Sequence, residues 1–107
     1  MDAIQFAKNW RVLQDELVDG VMDHNGRTEA SRRVEAMALT TDQVAQLRGL
    51  LDVVLRDTLY TLLLGLDGCA SIGPDQQVYR IHDEDGNLLS QSGQLEAAAW
   101  EVFHGEA

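Results

Sequence analysis

The first part of the chain carries apolar side chains at the spacing of an amphipathic helix. Apolar positions recur three and four residues apart along residues 3–23, which predicts a helix there. They are Phe6, Trp10, Leu13, Leu17 and Val21. Asp2 is placed to cap the start of this helix, and Gly26 favours its end. A second helix is predicted over residues 29–38, after Thr28, which is another residue of the capping type.

A third helix begins with the strongest start signal in the sequence, a capping box of Thr40 and Gln43. One apolar stripe runs along residues 44–55, and beyond Arg56 the polar side of the helix turns apolar as well. This second half therefore needs cover on two sides before the helix ends at Gly68. We expect four leucines of this half to be buried. They are Leu59, Leu62, Leu63 and Leu66.

After residue 68 the apolar period changes from 3.6 residues to 2 residues. The segments "CASI", "QQVYRIHD" and "LLSQS" read as three short strands, which predicts an antiparallel meander. Asp85 and Gly86 form a hairpin signal between the last two strands, and Gly86 should have a positive φ. The segment "GQLEAAAWEVFHGEA" predicts a terminal helix, with Ser92 as its cap.

Together these elements predict a single α+β domain over residues 1–107. It would contain N-terminal helices and a long central helix, a three-stranded antiparallel meander, and a C-terminal helix. The other helices would cover one side of the central helix, and the meander would cover the other. The alternative is that a second copy of the chain or another partner covers part of the central helix.

The charge of the chain is strongly acidic and unevenly distributed. Eight Lys and Arg stand against 18 Asp and Glu, a formal net charge of −10. Residues 67–107 hold eight acids and one base, and therefore −7 of that charge. Such a surface disfavours DNA or RNA binding and attracts a basic partner, although acidity also serves solubility alone.

Two further features of the sequence indicate a cytoplasmic protein. The single cysteine favours a reducing compartment, and the N-terminal segment lacks the basic and apolar regions of a signal peptide. The densest apolar stretch, residues 59–66, is too short to cross a membrane. We therefore expect no membrane contact.

The segment "HDEDGN" is the best candidate for a metal site. Asp83, Asp85 and Asn87 alternate like the first ligands of a calcium-binding loop. The match fails because Gly86 stands at loop position four instead of six, and Gln94 replaces the glutamate of position twelve. The sequence therefore predicts a hairpin turn, with no metal and no cofactor.

No catalytic constellation emerges from the sequence. Cys69 could serve a thiol catalyst only with one of His24, His82 and His104, and no local signature supports that arrangement. We expect Cys69 to be a small buried side chain. Phosphate-loop, metalloprotease and hydrolase motifs are absent, so the chain is predicted not to be an enzyme.

Asp57 lies in the part of the third helix that is predicted to be buried. A buried carboxylate needs a partner, which would be Arg80 or backbone N–H groups near the meander. Alternatively, Asp57 is a contact residue in a groove. Trp100 and the other large aromatic residues are expected mainly in the core, although interfaces also recruit them.

The C-terminal half resembles known bacterial domains. An apolar helix ending in "LLLGLDG", the hairpin "YRIHDEDGN" and the helix "LEAAAWEVFH" resemble small uncharacterised bacterial domains and are similar in style to immunity proteins of toxin systems. The resemblance covers about residues 50–104. It implies a short, acidic, cytoplasmic, non-enzymatic α+β protein that blocks a toxin by binding it.

Two functions follow as hypotheses. The first is a non-enzymatic binding protein, for example an immunity-type inhibitor, that neutralises a basic protein partner such as a nuclease toxin. Its contact residues would lie in the acidic C-terminal part. They are Asp83, Glu84, Asp85, Glu96 and Glu101. The alternative is a self-associating structural or housekeeping domain, a homodimer with the third helix or its neighbours at a two-fold interface.

Overall fold

The structure is a computed structural model that describes residues 1–105, and these residues form four α-helices. Helix α1 spans Ala3–Met22, α2 spans Glu29–Ala36, α3 spans Thr41–Leu66 and α4 spans Gln94–Phe103. All four helices are close to the ranges predicted from the sequence. The end of the segment read as a terminal helix, residues 106–107, lies outside the described residues.

The predicted caps at the first three helix starts are confirmed. The Asp2 carboxylate accepts a hydrogen bond from the backbone N–H of Gln5, at 2.8 Å. Thr28 caps α2 in the same way. Thr40 and Gln43 form the full reciprocal capping box of α3. Each cap satisfies backbone N–H groups that have no partner within the helix, so these starts are set by local sequence.

The apolar core lies where the start of α1, the end of α3 and the whole of α4 meet. Leu63 is fully buried and Leu59 nearly so, as expected, whereas Leu62 and Leu66 are only half-buried at the edge. Small alanines on α1 and α4 allow the three helices to approach closely. The buried cluster is Ala3, Ala7, Leu59, Leu63, Leu95, Ala98, Ala99 and Phe103.

The prediction of an α+β fold is wrong. Residues 69–92 form no sheet, and the only β pairing in residues 1–105 is an isolated antiparallel bridge between His82 and Leu88. The three segments read as strands are turns and irregular chain. The protein is therefore an all-α domain with a long loop packed on its core.

Side chains explain why no meander forms, because they bind the backbone groups that a sheet would have paired. The Gln76 amide accepts from the N–H of Ile72 and donates to the carbonyl of Gly65, at 2.8 and 2.7 Å. Ser90 accepts from the N–H of Ile81 and donates to the carbonyl of Tyr79. These loop backbone groups are bonded by side chains and do not pair with a neighbouring strand, despite the alternating apolar pattern of the segment.

The turn beside the bridge has the predicted geometry. Gly86 has φ of +85°, which confirms the expected left-handed conformation. The glycine therefore closes a tight turn, although the turn joins a single bridge and not two strands.

The molecule is elongated, 46 × 29 × 27 Å, and has two distinct regions. We call residues 1–10 and 59–105 the core end, because they contain the apolar cluster. We call residues 11–58 the helical arm, which consists of the end of α1, α2 and the first two thirds of α3. No helix in residues 1–105 combines the length and apolar character needed to span a membrane.

Candidate protein-binding surface

The five acidic residues predicted as partner contacts all lie at the core end, but at three separate places. Asp83, Glu84 and Asp85 form the turn near the start of α1. Glu96 lies on the first turn of α4, and Glu101 lies further along the same helix. The structure therefore does not join them into one continuous acidic patch.

Asp83 is committed to holding the turn. Its carboxylate accepts hydrogen bonds from the backbone N–H groups of Asp85 and Asn87, at 3.0 and 2.9 Å. It also accepts from the Asn87 side-chain amide and from the Met1 ammonium group, both at 2.9 Å. The bonds from Asn87, followed by the bond from Met1, hold the pKa of Asp83 well below its usual range. Glu84 and Asp85 remain exposed as available surface charges.

Asp67 caps α4 from across the chain, so the prediction that Ser92 caps this helix is wrong. The cap position is Gly93, which has no side chain to offer. The two carboxylate oxygens of Asp67 accept from the backbone N–H groups of Gly93 and Glu96, at 3.2 and 2.9 Å. A carboxylate at a helix N-terminus also complements the helix dipole. The end of α3 is thereby tied directly to the start of α4.

Cys69 is exposed, which corrects the expectation that it is buried. Its thiol donates a hydrogen bond to Glu96, with 2.9 Å between Sγ and Oε2. This bond, with burial and the charges of Glu96 and Asp67 added to it, raises the pKa of Cys69 to about 11. The thiol is therefore protonated near neutral pH and is a poor nucleophile.

Potential metal-binding atoms of Asp67, Cys69 and Glu96 lie within 4.8 Å of one another. No sequence pattern predicted this grouping, because Glu96 lies 27 residues after Cys69 along the chain. Both Asp67 oxygens already accept hydrogen bonds from backbone N–H groups. The Cys69 thiol uses its proton in the hydrogen bond that it donates to Glu96. The cluster thus joins α3 to α4 through its own hydrogen bonds.

Glu101 lines a shallow groove between α4 and the start of α1. Asp2, Ala3 and Gln94 lie on the same groove. The two carboxylates give this groove an acidic character, and both side chains are exposed.

An aromatic cluster, formed by Tyr60, Trp100 and His104, lies on the other side of α4. The Trp100 ring stacks on His104 with 5.1 Å between ring centroids, and Tyr60 meets His104 edge-on at 4.5 Å. Trp100 is 58% exposed, contrary to the expectation that the large aromatics lie in the core. Its position on the polar side of the α4 apolar stripe is the sequence signal that could have identified it.

Asp57 is exposed and lies three residues before Tyr60 on α3. Its carboxylate accepts from the neighbouring Arg56, with 3.1 Å between the two atoms. The expectation that Asp57 is buried and bonded to Arg80 or to the loop is therefore wrong. Its charge borders the aromatic cluster instead, because residues three apart share a helix face.

Comparison with known proteins adds no relative from which a function could be transferred. The chain matches no protein-family model, no curated protein and no solved structure.

Proposed function

We propose that the chain is a non-enzymatic binding protein whose core end docks a basic protein partner, in the manner of an immunity-type inhibitor. The observation that carries this proposal is the exposed aromatic cluster at the acidic end of the molecule. Trp100 shows more than half of its surface to solvent while its ring is held by His104 and Tyr60. A large, rigid and exposed tryptophan is typical of the residues that dominate binding energy at interfaces.

Two acidic side chains lie near this cluster in the helices that carry it. Glu96 precedes Trp100 by one helical turn, and Asp57 precedes Tyr60 on α3. Glu84, Asp85 and Glu101 add negative charge at two other places on the core end. Opposite charge on a partner would accelerate its encounter with this end, and the aromatic cluster would supply the contact that lasts. Asp83 has a different role, because its bonds hold the turn that presents its two neighbours.

The environment of the single thiol supports a non-enzymatic role. A thiol catalyst needs a base that withdraws the proton, whereas Cys69 donates to Glu96 and has a raised pKa. The thiol bonds Glu96 and not a histidine ring, while the His24 ring contacts Asn25 and the His104 ring stacks on Trp100.

The test is a binding experiment with two pairs of matched variants. A partner is captured from a lysate of the source organism with the intact chain, and binding kinetics are then measured at two salt concentrations. Trp100→Ala should weaken binding by about 30-fold or more, the loss expected at an interface hot spot. Its control is Val12→Ala, which removes a similarly exposed side chain from the helical arm.

The charge contribution is tested with Glu84→Lys/Asp85→Lys against Glu35→Lys/Asp42→Lys in the helical arm. The first pair should slow association sharply, and added salt should have the same effect on the unchanged chain, while dissociation changes less. The second pair carries the same charge change at the other end and should have a smaller effect. An acidic partner, or binding that is indifferent to salt and to Trp100→Ala, would overturn the proposal.

A further inference from the structure

The helical arm exposes an apolar stripe on α3. The stripe has four members spaced by three, four and three residues, which is the heptad spacing of a helix that packs against another helix. They are Val44, Leu47, Leu51 and Val54. Val44 and Val54 are exposed, at 39% and 50%, and Leu50 beside them is 59% exposed, whereas Leu47 and Leu51 are half-buried. A stripe of this kind is normally covered.

The stripe is only partly covered because α1 packs against the polar side of α3 in this region. Gln14 of α1 is buried and donates to the Asp52 carboxylate at 2.8 Å. Arg48 pairs with Asp19 of α1 at 2.9 Å. These contacts run in opposite directions along the two helices, so α1 and α3 are antiparallel, and the apolar stripe lies to one side of their contact.

Helix α1 extends the same uncovered face. Its contact with α3 runs through Ala7, Gln14 and Val18, and the helical period places Leu13 and Leu17 to one side of that line. For an antiparallel pair, this is the side on which the α3 stripe lies. Leu13 and Leu17 are 44% and 41% exposed. We call this surface the arm face: Leu13, Leu17, Val44, Leu47, Leu50, Leu51 and Val54.

The size of the molecule shows how much surface is left over. The accessible area is 7312 Å², whereas a folded monomer of 11.9 kDa is expected to expose about 6,000 Å². The radius of gyration is 16.3 Å, against about 13 Å for a compact chain of this length. This excess of roughly 1,300 Å² belongs to the whole molecule, including the exposed loop, and it is larger than the ~800 Å² per partner that a standard interface buries.

We propose that a second copy of this chain covers the arm face, with α3 of each copy packed against α3 of the other. This inference goes beyond the proposed function, since it concerns the opposite end of the molecule. A membrane surface is a poorer occupant, because interfacial helices carry a basic polar face and this chain has a net charge of −10.

The charge distribution sets the orientation of the two copies. Residues 67–107 carry −7, whereas residues 1–66 carry ten acids and seven bases, or −3. A parallel pair of α3 helices would bring the two acidic ends together. An antiparallel pair places them at opposite ends of the dimer, so repulsion between them is screened by distance and salt. In this arrangement Val44 lies opposite Val54 of the other copy, and Leu47 lies opposite Leu51.

The oligomeric state tests the proposal directly. Light scattering after size exclusion should give a mass of about twice 11.9 kDa for the intact chain. Leu50→Glu/Val54→Glu places two charges on the arm face and should raise the dissociation constant at least ~100-fold, since an unpaired charge is costly to bury. Val12→Glu/Val53→Glu is the matched control, because it adds the same charge at exposed valines outside the arm face and should leave the dimer intact.

Circular dichroism checks that both double variants keep their helices, which is expected because all four side chains are exposed. A monomer of the intact chain at all concentrations up to the millimolar range would overturn the proposal. A dimer weakened equally by both double variants, or by neither, would place the interface elsewhere and overturn it as well.

Disulfide formation tests the orientation. The variants Val44→Cys and Val54→Cys are each prepared with Cys69→Ser, mixed and oxidised, and the products are identified by mass spectrometry. The antiparallel dimer should give mainly the mixed product that joins one variant to the other, because only positions 44 and 54 of opposite copies approach within disulfide distance. Predominant like-with-like products would show a parallel pair and overturn the antiparallel arrangement. Both results are independent of whether Trp100 binds a basic partner.

Discussion

The core end and the helical arm contain the same kinds of residues but differ in how they are held together. At the core end, eight apolar residues from three helices form one buried cluster. In the arm, within residues 11–58, the buried side chains are Gln14, Val18 and Ser31, and only Val18 is apolar. The comparison teaches that one long helix can be shared between a region with its own core and a region without one.

Polar contacts hold the arm together where apolar contacts are missing. The Gln14 amide donates to the carboxylate and the carbonyl of Asp52, yet its own Oε1 has no partner among the described residues. The ion pair between Arg48 and Asp19 is exposed, and such pairs contribute less than about 1 kcal/mol. In a single copy of the chain, the helical arm is therefore expected to unfold locally more readily than the core end.

Leu63→Ala should produce the largest loss of stability in the molecule. Leu63 is fully buried at the centre of the apolar cluster, so the free energy of unfolding should fall by ~2–5 kcal/mol. Urea unfolding measures the change. Val53→Ala is the control in the arm, where an exposed side chain outside the arm face should change stability by less than ~0.5 kcal/mol. Equal costs at the two positions would erase the distinction between the regions.

Hydrogen exchange should reveal two levels of protection along α3. At low protein concentration, amides of residues 60–66 should exchange at least ~30-fold more slowly than amides of residues 46–52, which is about 2 kcal/mol of local stability. A second copy on the arm face would raise the protection of residues 46–52 as the protein concentration increases. Uniform protection at every concentration would contradict both expectations.

Asp67→Ala should cost ~1–2 kcal/mol, because it leaves the N–H groups of Gly93 and Glu96 at the start of α4 without their acceptor. The free energy of unfolding is again the measurement. Asp75→Ala removes an exposed loop carboxylate and serves as the control. A cost no greater than that of the control would show that α4 is held by packing alone.

The pH dependence of stability that Cys69 contributes should be the smallest of these effects and the one most specific to the core end. The folded pKa of Cys69, about 11, lies above the ordinary thiol value near 8.5, so its contribution to stability is present below about pH 8.5. That contribution is lost as the pH rises from about 8.5 to 11. Glu96→Gln removes the main cause and should flatten this part of the stability profile.

The rate of thiol alkylation provides an independent readout of the same contact. At pH 8, iodoacetamide should modify Cys69 faster in Glu96→Gln than in the unchanged chain, because a lower pKa yields more thiolate. The control is Glu101→Gln, which removes a carboxylate from α4 that is not bonded to the thiol. Identical rates in all three proteins would show that the hydrogen bond does not control the thiol.

The helix starts could be predicted from the sequence because their causes lie within four residues. Asp2, Thr28 and Thr40 each bond the backbone N–H three residues further on, and the same short range sets the positive φ of Gly86. The cap of α4 could not be found in this way. Asp67 lies 26 residues before Gly93, so only the folded chain brings the two together.

The predictions of a meander and of the burial of Cys69 and Asp57 are wrong for a related reason. Alternating apolar residues favour a strand only when another strand is available to pair, and Gln76 and Ser90 instead accept hydrogen bonds from the loop N–H groups of Ile72 and Ile81. The predicted burial of Cys69 depends on a strand that begins there beside the central helix, and the predicted burial of Asp57 depends on cover of the second half of α3 on two sides. In the structure both side chains are exposed, and each bonds a charged neighbour.

The sequence by itself determined where the helices begin, that the second half of α3 enters a core, and that the charge accumulates in the last 41 residues. These properties depend on neighbouring residues and on composition. Only the tertiary structure decided which side of α3 meets α1, because Gln14 and Asp52 form a polar contact that no hydrophobic pattern predicts. That choice left the apolar stripe of α3 only partly covered, so that Val44 and Val54 are presented to solvent or to a second chain.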